Sequence, residues 1–413
     1  MKEDELQNHS PQLHVWMWLK IGLMSFGGPA AHIALIQSEV CERYKLASQQ
    51  SFLRGLNFAM LLPGPEAQQL ATYLGWRIGG ITGGLVAGLG FVIPGAIFMI
   101  AATIALHELG NVPLVDAVFR GVQPVVVALV AFALFNIAKR ALTGPAAIAM
   151  AVAAFAAGQF LGVSFPLIAV VAALTSLMVM PNLPAEAAET TEIQAPGAGD
   201  RRRAVSILAI CVGLWLAVTM LCVFVLPAEP FATIARLITT AALVTFGGAY
   251  AVISYVGDQA VGVLGWISSN DLLDGLAVAE TIPGPLVLFN TYVGTLAGYK
   301  IGITGAVTGG VLAMFYTFLP SLGVVLAGAP YVERLYAIGP IRSALIGVSA
   351  AVVGAIAKLA LFLFLTVCLP AGQPAWTNIA ITALAAIAIW SGKVSALVLI
   401  LAGAAAGIVL YSI

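Results

Sequence analysis

Six charged side chains lie within stretches that are otherwise apolar, and these residues are the best placed to do chemistry. They are Lys20, Glu66, Arg77, Arg236, Glu280 and Lys358. An ionisable group inside a membrane is costly to keep there, so it is a functional candidate by default. The basic groups could bind an anion, and the two carboxyl groups could bind and release protons. Glu66 directly follows Pro65, and Glu280 precedes Pro283 by three positions.

Both glutamates lie beside motifs that break helices. Phe-Gly-Gly occurs at 26–28 and again at 246–248, and Pro-Gly-Pro occurs at 63–65 and again at 283–285. An isolated Gly-Gly pair is more often a site of close helix packing, but two prolines around a glycine do not fit a regular helix. A helix that begins after such a break presents free N–H groups and the positive end of its dipole, which suits an anion. We therefore expect the four breaks to converge on one binding site.

Composition indicates which elements must position these residues. Of the 413 residues, 61% are hydrophobic and only 9% are charged, and the mean hydropathy is +1.02, whereas a soluble domain carries roughly 25% charged residues. Apolar stretches long enough to cross a bilayer recur about 13 times. The four cysteines are dispersed and predict neither a disulfide framework nor a metal site. The sequence predicts an all-α polytopic membrane protein.

The chain contains an internal repeat. With a shift of 220 positions, residues 23–65 align without a gap on residues 243–285, and both pairs of motifs coincide. Further along, "NIAKRAL" at 136–142 faces "AIAKLAL" at 355–361. The predicted parts are a first half at residues 13–180, a cytoplasmic linker at 181–204, an extra transmembrane helix at 205–226 and a second half at 231–412.

If every apolar segment crosses once, seven crossings separate the starts of the two halves. An odd number inverts the second half, and inverted repeats with interrupted helices are typical of secondary transporters. If the Pro-Gly-Pro segments are instead re-entrant hairpins, the number of crossings changes by one and the halves become parallel. Both arrangements remain open from sequence.

Basic residues favour a cytoplasmic N-terminus and a periplasmic C-terminus. This orientation places nine of them on or near the cytoplasmic side: Arg77, Lys139, Arg140, Arg201, Arg202, Arg203, Arg334, Arg342 and Lys393. The exceptions are Arg43, Lys45 and Lys300, with Arg54 and Arg236 near the outer ends of their segments. We interpret Arg77, Lys139, Arg140, Arg236 and Lys358 mainly as anchors at the membrane surface.

The motif-bearing stretches "LKIGLMSFGGPAAHI", "LLPGPEAQQLATYLGWRIGG", "TFGGAYAVISYVGDQAV" and "GLAVAETIPGPL" resemble the bacterial chromate ion transporters in their long, two-domain form. The resemblance runs in order over nearly the whole chain. It implies an inner-membrane transporter that exports chromate and confers chromate resistance. It also implies an antiporter driven by the proton gradient or the membrane potential, with sulfate as a competing anion. The sequence departs from the family pattern around the second Pro-Gly-Pro motif, which leaves the side chains there undetermined.

A tetrahedral dianion needs hydrogen-bond donors and positive potential. The predicted substrate-binding residues are Lys20, Phe26, Gly27, Gly28, Pro63, Gly64, Pro65, Gln69, Phe246, Gly247, Gly248, Pro283, Gly284 and Pro285. Neutral donors could also come from Gln68, Thr72, Tyr73, Asn290, Thr291 and Tyr292. Lys20 could equally extend to the cytoplasmic interface.

The two glutamates need a separate interpretation because a carboxylate beside an anion site repels the anion unless it is protonated. Glu66 and Glu280 are therefore candidate proton-coupling groups. Their alternative roles are structural: Glu66 could cap its own helix, and either glutamate could pair with Lys20 or Arg77.

Three rival functions remain: transport of another oxyanion such as sulfate, a passive channel, and a membrane-embedded enzyme. Chromate and sulfate share shape and charge, so residue types do not separate them. The enzyme is disfavoured because the sequence has no HExxH, GxSxG or Walker motif. We expect chromate, protons and the lipid bilayer as partners, with no cofactor, metal or nucleic acid, and a homodimer stays open.

Overall fold

The computed structural model describes residues 11–110, 112–179, 198–226, 228–244, 249–331 and 339–411. These residues form helices and no strands, which confirms the predicted all-helical class. The first half contains α1 (Pro11–Met24), α2 (Gly28–Ile36), α3 (Gln49–Leu61), α4 (Glu66–Leu109), α5 (Pro113–Ala141), α6 (Pro145–Phe160) and α7 (Phe165–Val179). The remainder contains α8 (Ala198–Phe224), α9 (Ala228–Val244), α10 (Ala249–Gly257), α11 (Ser269–Thr281), α12 (Phe289–Tyr299), α13 (Ile303–Gly328), α14 (Gly339–Cys368), α15 (Trp376–Trp390) and α16 (Ala396–Tyr411).

Several helices have the length and composition of membrane spans. Five of those described are long and apolar enough to cross a bilayer: Glu66–Leu109, Pro113–Ala141, Gly199–Phe224, Ile303–Tyr331 and Ser343–Cys368. Four shorter apolar helices are α6, α7, α15 and α16. The total of 13 segments stays a prediction.

The predicted linker at 181–204 is described only from residue 198, and this part is helical. The helix α8 therefore begins at Ala198 and includes Arg201, Arg202 and Arg203 in its first turns. Sequence analysis placed its start near 205 because the arginines are polar, but alanine and arginine are both good helix formers.

Each Pro-Gly-Pro motif turns the chain back on itself. In the first half, α3 ends before the motif and α4 begins after it. The helix α4 then kinks so sharply at Gly79 and Gly80 that the chain folds back, because a Cβ on Gly75 would lie 2.4 Å from Ala87. The Tyr73 ring packs against Phe58 at 5.9 Å between ring centroids. The ring also lies so close to Gly55 that a Cβ there would be 2.4 Å from it. Residues at similar distances before and after the motif thus meet, which shows that α3 and the first part of α4 run antiparallel.

The second half repeats this hairpin. A Cβ on Gly275 of α11 would lie 2.4 Å from the ring of Tyr292 in α12. The helix α3 has 13 residues and α11 also has 13, so each is about 20 Å long. A hydrocarbon core is about 30 Å thick. These arms are therefore too short to cross it individually.

The first Phe-Gly-Gly motif also reverses the chain. The Lys20 ammonium lies 3.2 Å from the Glu39 carboxylate. A continuous straight helix would separate residues 19 positions apart by about 28 Å. The chain therefore folds back between α1 and α2 at Gly27 and Gly28, whose φ angles are 92° and 82°. Phe246, Gly247 and Gly248, which were predicted to break the second half in the same way, lie outside the described residues.

Local geometry supports the repeat found in the sequence. The π-helical turns Gln37–Arg43 and Asp258–Val263 follow α2 and α10 at equivalent positions. Ser48 and Ser268 each accept a hydrogen bond from a backbone N–H at the start of α3 and α11.

The halves are held together by exchanged contacts between small residues. Gly347 and Gly354 of α14 lie against α7 and α6, and reciprocally Gly403 and Gly407 of α16 lie against Gly121 of α5. Small residues allow such close backbone contact between membrane helices. Each half thus packs its last two helices, α6 and α7 or α15 and α16, on a long helix of the other.

The fold-back at the first Phe-Gly-Gly motif can be tested through Glu39, which is 7% exposed and pairs with both Lys20 and Arg43. We expect Glu39→Gln to lower the free energy of unfolding by about 2 kcal/mol, less than for a fully buried pair because Lys20 and Arg43 keep partial access to water. Thermal unfolding in detergent measures this effect. Glu42→Gln is the control because Glu42 is exposed. Equal stability of the two variants would contradict the proposed role of the ion pair.

Candidate functional site

A cavity of about 830 Å³ lies between the two halves. Residues from both halves line it: Phe26, Gly27, Gly28, Pro29, Ala30, Ala31, Met60, Glu66, Leu129, Phe132, Ala133, Asn136, Ile137, Arg140, Ala141, Ala249, Tyr250, Glu280, Ser349, Val352, Ile389, Ser395, Ala396 and Leu397. The structure thus brings the first Phe-Gly-Gly motif together with both predicted proton-coupling glutamates. A concave, largely apolar space with a few convergent polar groups is the usual form of a small-molecule site.

Glu66 lies at the first position of α4, directly after Pro65. Its carboxylate is half-buried and lies at the positive end of the helix dipole, which stabilises a negative charge. Arg140, at the C-terminal end of α5, is close enough for its charge to act on Glu66. No hydrogen bond joins Arg140 to another described residue, so its guanidinium retains donors that face the cavity.

Glu280 approaches the cavity from α11 and is held by one strong hydrogen bond. The Tyr250 hydroxyl donates to Glu280 Oε1 at 2.5 Å. Both residues are buried, with 7% of Tyr250 and 5% of Glu280 exposed. Tyr250 follows the second Phe-Gly-Gly motif, since it is the second residue of α10. The sequence therefore positions this pair through the end of one helix and the start of another.

The charges of the cavity favour an anion only under certain protonation states. Among the described residues, Arg140 is the one basic side chain that lines it, whereas Glu66 and Glu280 are both acidic. When both glutamates are ionised, the cavity is net negative and repels an anion. When both are protonated, it is net positive and attracts one. The residues therefore allow anion binding to be linked to proton binding.

Lys20 does not line the cavity. Its ammonium lies 3.2 Å from Glu39, and its side chain is 24% exposed. Lys358, the other lysine considered within a span, lies 2.5 Å from Asp258. The predicted role of Lys20 in substrate binding stays a prediction, but the positive charge that the structure places in the cavity is that of Arg140.

The Pro-Gly-Pro motifs lie behind the cavity and do not line it. Instead each turn packs against a long helix in the opposite half, next to the proline within that helix, Pro320 or Pro94. A Cβ on Gly64 would be 3.1 Å from Ser321 of α13, and a Cβ on Gly284 would be 3.3 Å from Gly95 of α4. In addition, the Gly284 N–H donates to the Ser25 carbonyl at 2.8 Å. The turns therefore orient Glu66 and Glu280 by fixing the helices that carry them.

Three of the predicted neutral donors, Gln68, Gln69 and Asn290, donate to other groups of the protein. Gln69 Nε2 donates to the Pro63 carbonyl at 2.6 Å, and Gln68 Nε2 donates to Thr72 Oγ1 at 3.0 Å. Asn290 Nδ2 similarly donates to Thr317 Oγ1 at 3.1 Å. These side chains are fully buried and lie outside the cavity lining. They stabilise the hairpins in a region where an unsatisfied polar group is costly.

Arg140, Asn136, Tyr250, Ser349 and Ser395 are polar lining residues that sequence analysis missed. Arg140 was interpreted as an anchor because it ends a helix beside Lys139. A usable signal was nevertheless present in the repeat: "NIAKRAL" and "AIAKLAL" match except at Asn136 and Arg140, which face Ala355 and Leu359. Those two residues are four positions apart, so they share one face of α5.

The same asymmetry holds for the other polar residues. Glu280 faces Met60 in the repeat, and Tyr250 faces Ala30. All four of these side chains line the cavity. Positions that agree between the halves mainly build the fold, and polar positions that differ between them give the cavity its chemistry.

Comparison with known proteins gives a consistent result. The model of the family described as "Chromate transporter" matches residues 13–177 and again residues 232–408. The chromate transport protein of Pseudomonas aeruginosa is 33% identical over 406 residues, which cover 96% of this chain and 91% of that protein. The chromate transport protein of Cupriavidus metallidurans is 26% identical, covering 83% and 80%. No solved structure matches the chain.

One further relative is shorter. An uncharacterised transporter of Bacillus subtilis is 29% identical over 139 residues, which are 34% of this chain but 71% of that transporter. A protein of this size corresponds to about one of the two halves.

Proposed function

Because the chain belongs to the chromate transporter family, we propose that it exports chromate across the bacterial inner membrane through the cavity between its halves and thereby confers chromate resistance. The observation that carries this proposal is the convergence of Arg140, Glu66 and Glu280 on that cavity. Chromate is a tetrahedral dianion, and a guanidinium binds such oxygens with two parallel hydrogen bonds. The backbone at Gly27 and Gly28 lets the anion approach closely.

Proton binding controls anion binding in this proposal. Protonation of Glu66 or Glu280 removes a negative charge from the cavity, so Arg140 can bind the dianion. Loss of the proton on the other side of the membrane restores the repulsion and expels the anion. In this sequence of steps the proton and the anion move in the same direction, and the inside-negative membrane potential drives export because a dianion accompanied by one proton carries a net negative charge.

Alternating access requires inverted halves, and the fold-back hairpins support them. A hairpin enters and leaves the membrane on the same side. The two hairpins of the first half, one at each motif, therefore contribute no crossing. The pair α6 and α7 returns to the side where it began. Three helices remain, namely α4 beyond its kink, α5 and α8. An odd number of crossings inverts the second half. Each hairpin changes the number of crossings by one, and because both the Phe-Gly-Gly and the Pro-Gly-Pro motif form hairpins, the number stays odd.

The distribution of charge agrees with this topology. Arg43 and Lys45, which were exceptions when every segment crossed once, fall on the cytoplasmic side when the chain folds back before them. In the second half the corresponding loop carries Asp258 and no basic residue. Basic residues are enriched in cytoplasmic loops. We therefore propose a cytoplasmic N-terminus and a periplasmic C-terminus.

The proposal is tested by measuring uptake of labelled chromate into inverted membrane vesicles that contain the chain. We expect energised accumulation that an uncoupler abolishes and that excess sulfate reduces. Vesicles without the chain provide the control. Accumulation that sulfate does not reduce would mean that the site distinguishes the two anions by contacts other than charge and shape. No energised chromate flux would overturn chromate export.

A further inference from the structure

One hydrogen bond joins two side chains that line the cavity, those of Tyr250 and Glu280. Its length of 2.5 Å lies in the range of a hydroxyl that donates to a carboxylate. Tyr250 is anchored in α10, and Glu280 lies in the last turn of α11. Both residues line the cavity, so a bound oxyanion would compete with Glu280 for the donor that the Tyr250 hydroxyl provides.

We propose that the Tyr250 hydroxyl binds the anion and couples anion binding to protonation of Glu280. In the empty cavity its hydroxyl donates to the Glu280 carboxylate. When the anion binds, the hydroxyl donates to an anion oxygen instead and keeps its own proton. The carboxylate of Glu280, deprived of its donor, then takes up one proton from water in the cavity. This inference rests on the proposed function, since it assumes that the transported ion is an oxyanion.

The surroundings of Glu280 leave few other groups for this role. The charged or titratable residues that face α11 from neighbouring described elements are Glu66 of α4, Asp116 and Arg140 of α5, Tyr250 of α10 and Tyr292 of α12, and α11 itself also carries Asp271 and Asp274. Asp274 accepts a hydrogen bond from Gln123 at 2.9 Å. Tyr292 lies against Gly275 and does not line the cavity. Tyr250 is therefore the one hydroxyl that contacts both Glu280 and the space open to the anion.

Comparison of the two halves shows that the Tyr250–Glu280 pair has no equivalent in the first half. In the first half the equivalent positions are Ala30 and Met60, which also line the cavity but offer no polar contact. A second Tyr–Glu pair would place another carboxylate in the cavity beside Glu66. The two halves therefore contribute different groups to the cavity. The second half provides the Tyr250–Glu280 pair, and the first half provides the positive charge of Arg140.

The test is the number of protons moved per chromate in vesicles reconstituted with purified protein and containing a pH-sensitive dye. We expect Tyr250→Phe to lower chromate flux about tenfold, because the bound anion loses one hydrogen-bond donor, and to reduce protons moved per chromate, among the ions still transported, at least fivefold. Tyr255→Phe is the matched control, because Tyr255 lies on the same helix outside the cavity, and it should keep the parent ratio.

Glu280→Gln provides a second variant that keeps an oxygen for the Tyr250 hydroxyl but cannot take up a proton. We expect the same loss of proton movement. A parent-like ratio in Tyr250→Phe or in Glu280→Gln would overturn the inference while leaving chromate transport intact. Chromate flux without any proton movement in the parent would overturn it too, whereas absence of chromate flux in the parent would instead overturn the proposed function.

Discussion

Replacing Arg140 with glutamine is expected to reduce chromate flux by about 10-fold or more, because hydrogen bonds between a charged donor and an anion contribute about 1.5–3 kcal/mol. Arg140 is the basic side chain that the described residues place in the cavity. Without it, the dianion meets a cavity whose remaining charges, Glu66 and Glu280, are negative or neutral. The measurement is initial chromate uptake into inverted vesicles at matched protein levels.

The adjacent residue offers a close control. Lys139 is exposed at the same helix end but does not line the cavity. Lys139→Gln should therefore keep chromate flux within about twofold of the parent. Arg140→Lys should fall between the two, since lysine keeps the charge but lacks the paired donors of the guanidinium. Equal losses from Lys139→Gln and Arg140→Gln would indicate that both act as membrane anchors, and normal flux in Arg140→Gln would refute the cavity as the binding site.

Replacing Gly284 with leucine is expected to abolish transport, to below about a tenth of the parent rate, while the protein still inserts into the membrane. Its φ angle is 109°, a conformation that costs a side-chain-bearing residue about 1–2 kcal/mol. A Cβ would also lie 2.8 Å from Leu288 and 3.3 Å from Gly95. The turn would move away from α4 and carry Glu280 with it. Gly64→Leu should act similarly through Ser321.

Gly302 separates backbone strain from this steric effect. Its φ angle is 85°, yet no atom lies within 4 Å of a Cβ built there. Gly302→Leu should therefore lose stability through strain alone and keep most of the chromate flux. Insertion is followed by membrane fractionation, and flux by chromate uptake. If Gly302→Leu abolishes flux as completely as Gly284→Leu, the contact between the turn and α4 is not what transport requires.

Membrane character, the repeat and the positions of the helix breaks follow from sequence because each depends on residues close together in the chain. Apolar stretches of sufficient length require a bilayer or a protein interior whatever their neighbours are. Pro-Gly-Pro interrupts a helix wherever it occurs. Sequence analysis also identified Glu66 and Glu280 correctly as neighbours of these breaks, although their proton-coupling role stays a prediction.

Only the tertiary structure decided which way the chain continues after each break and which charges meet. Glycine and proline end a helix without fixing its next direction, so the reversal at Gly27 and Gly28 depends on the contact between Lys20 and Glu39. Likewise, Arg140 at a helix end could extend to the membrane surface or line a cavity. Its surroundings, α4 with Glu66 and the neighbouring α10, α11 and α16, come from distant parts of the chain. Packing between the halves therefore determines the site, because its charges are brought together by contacts that no local pattern encodes.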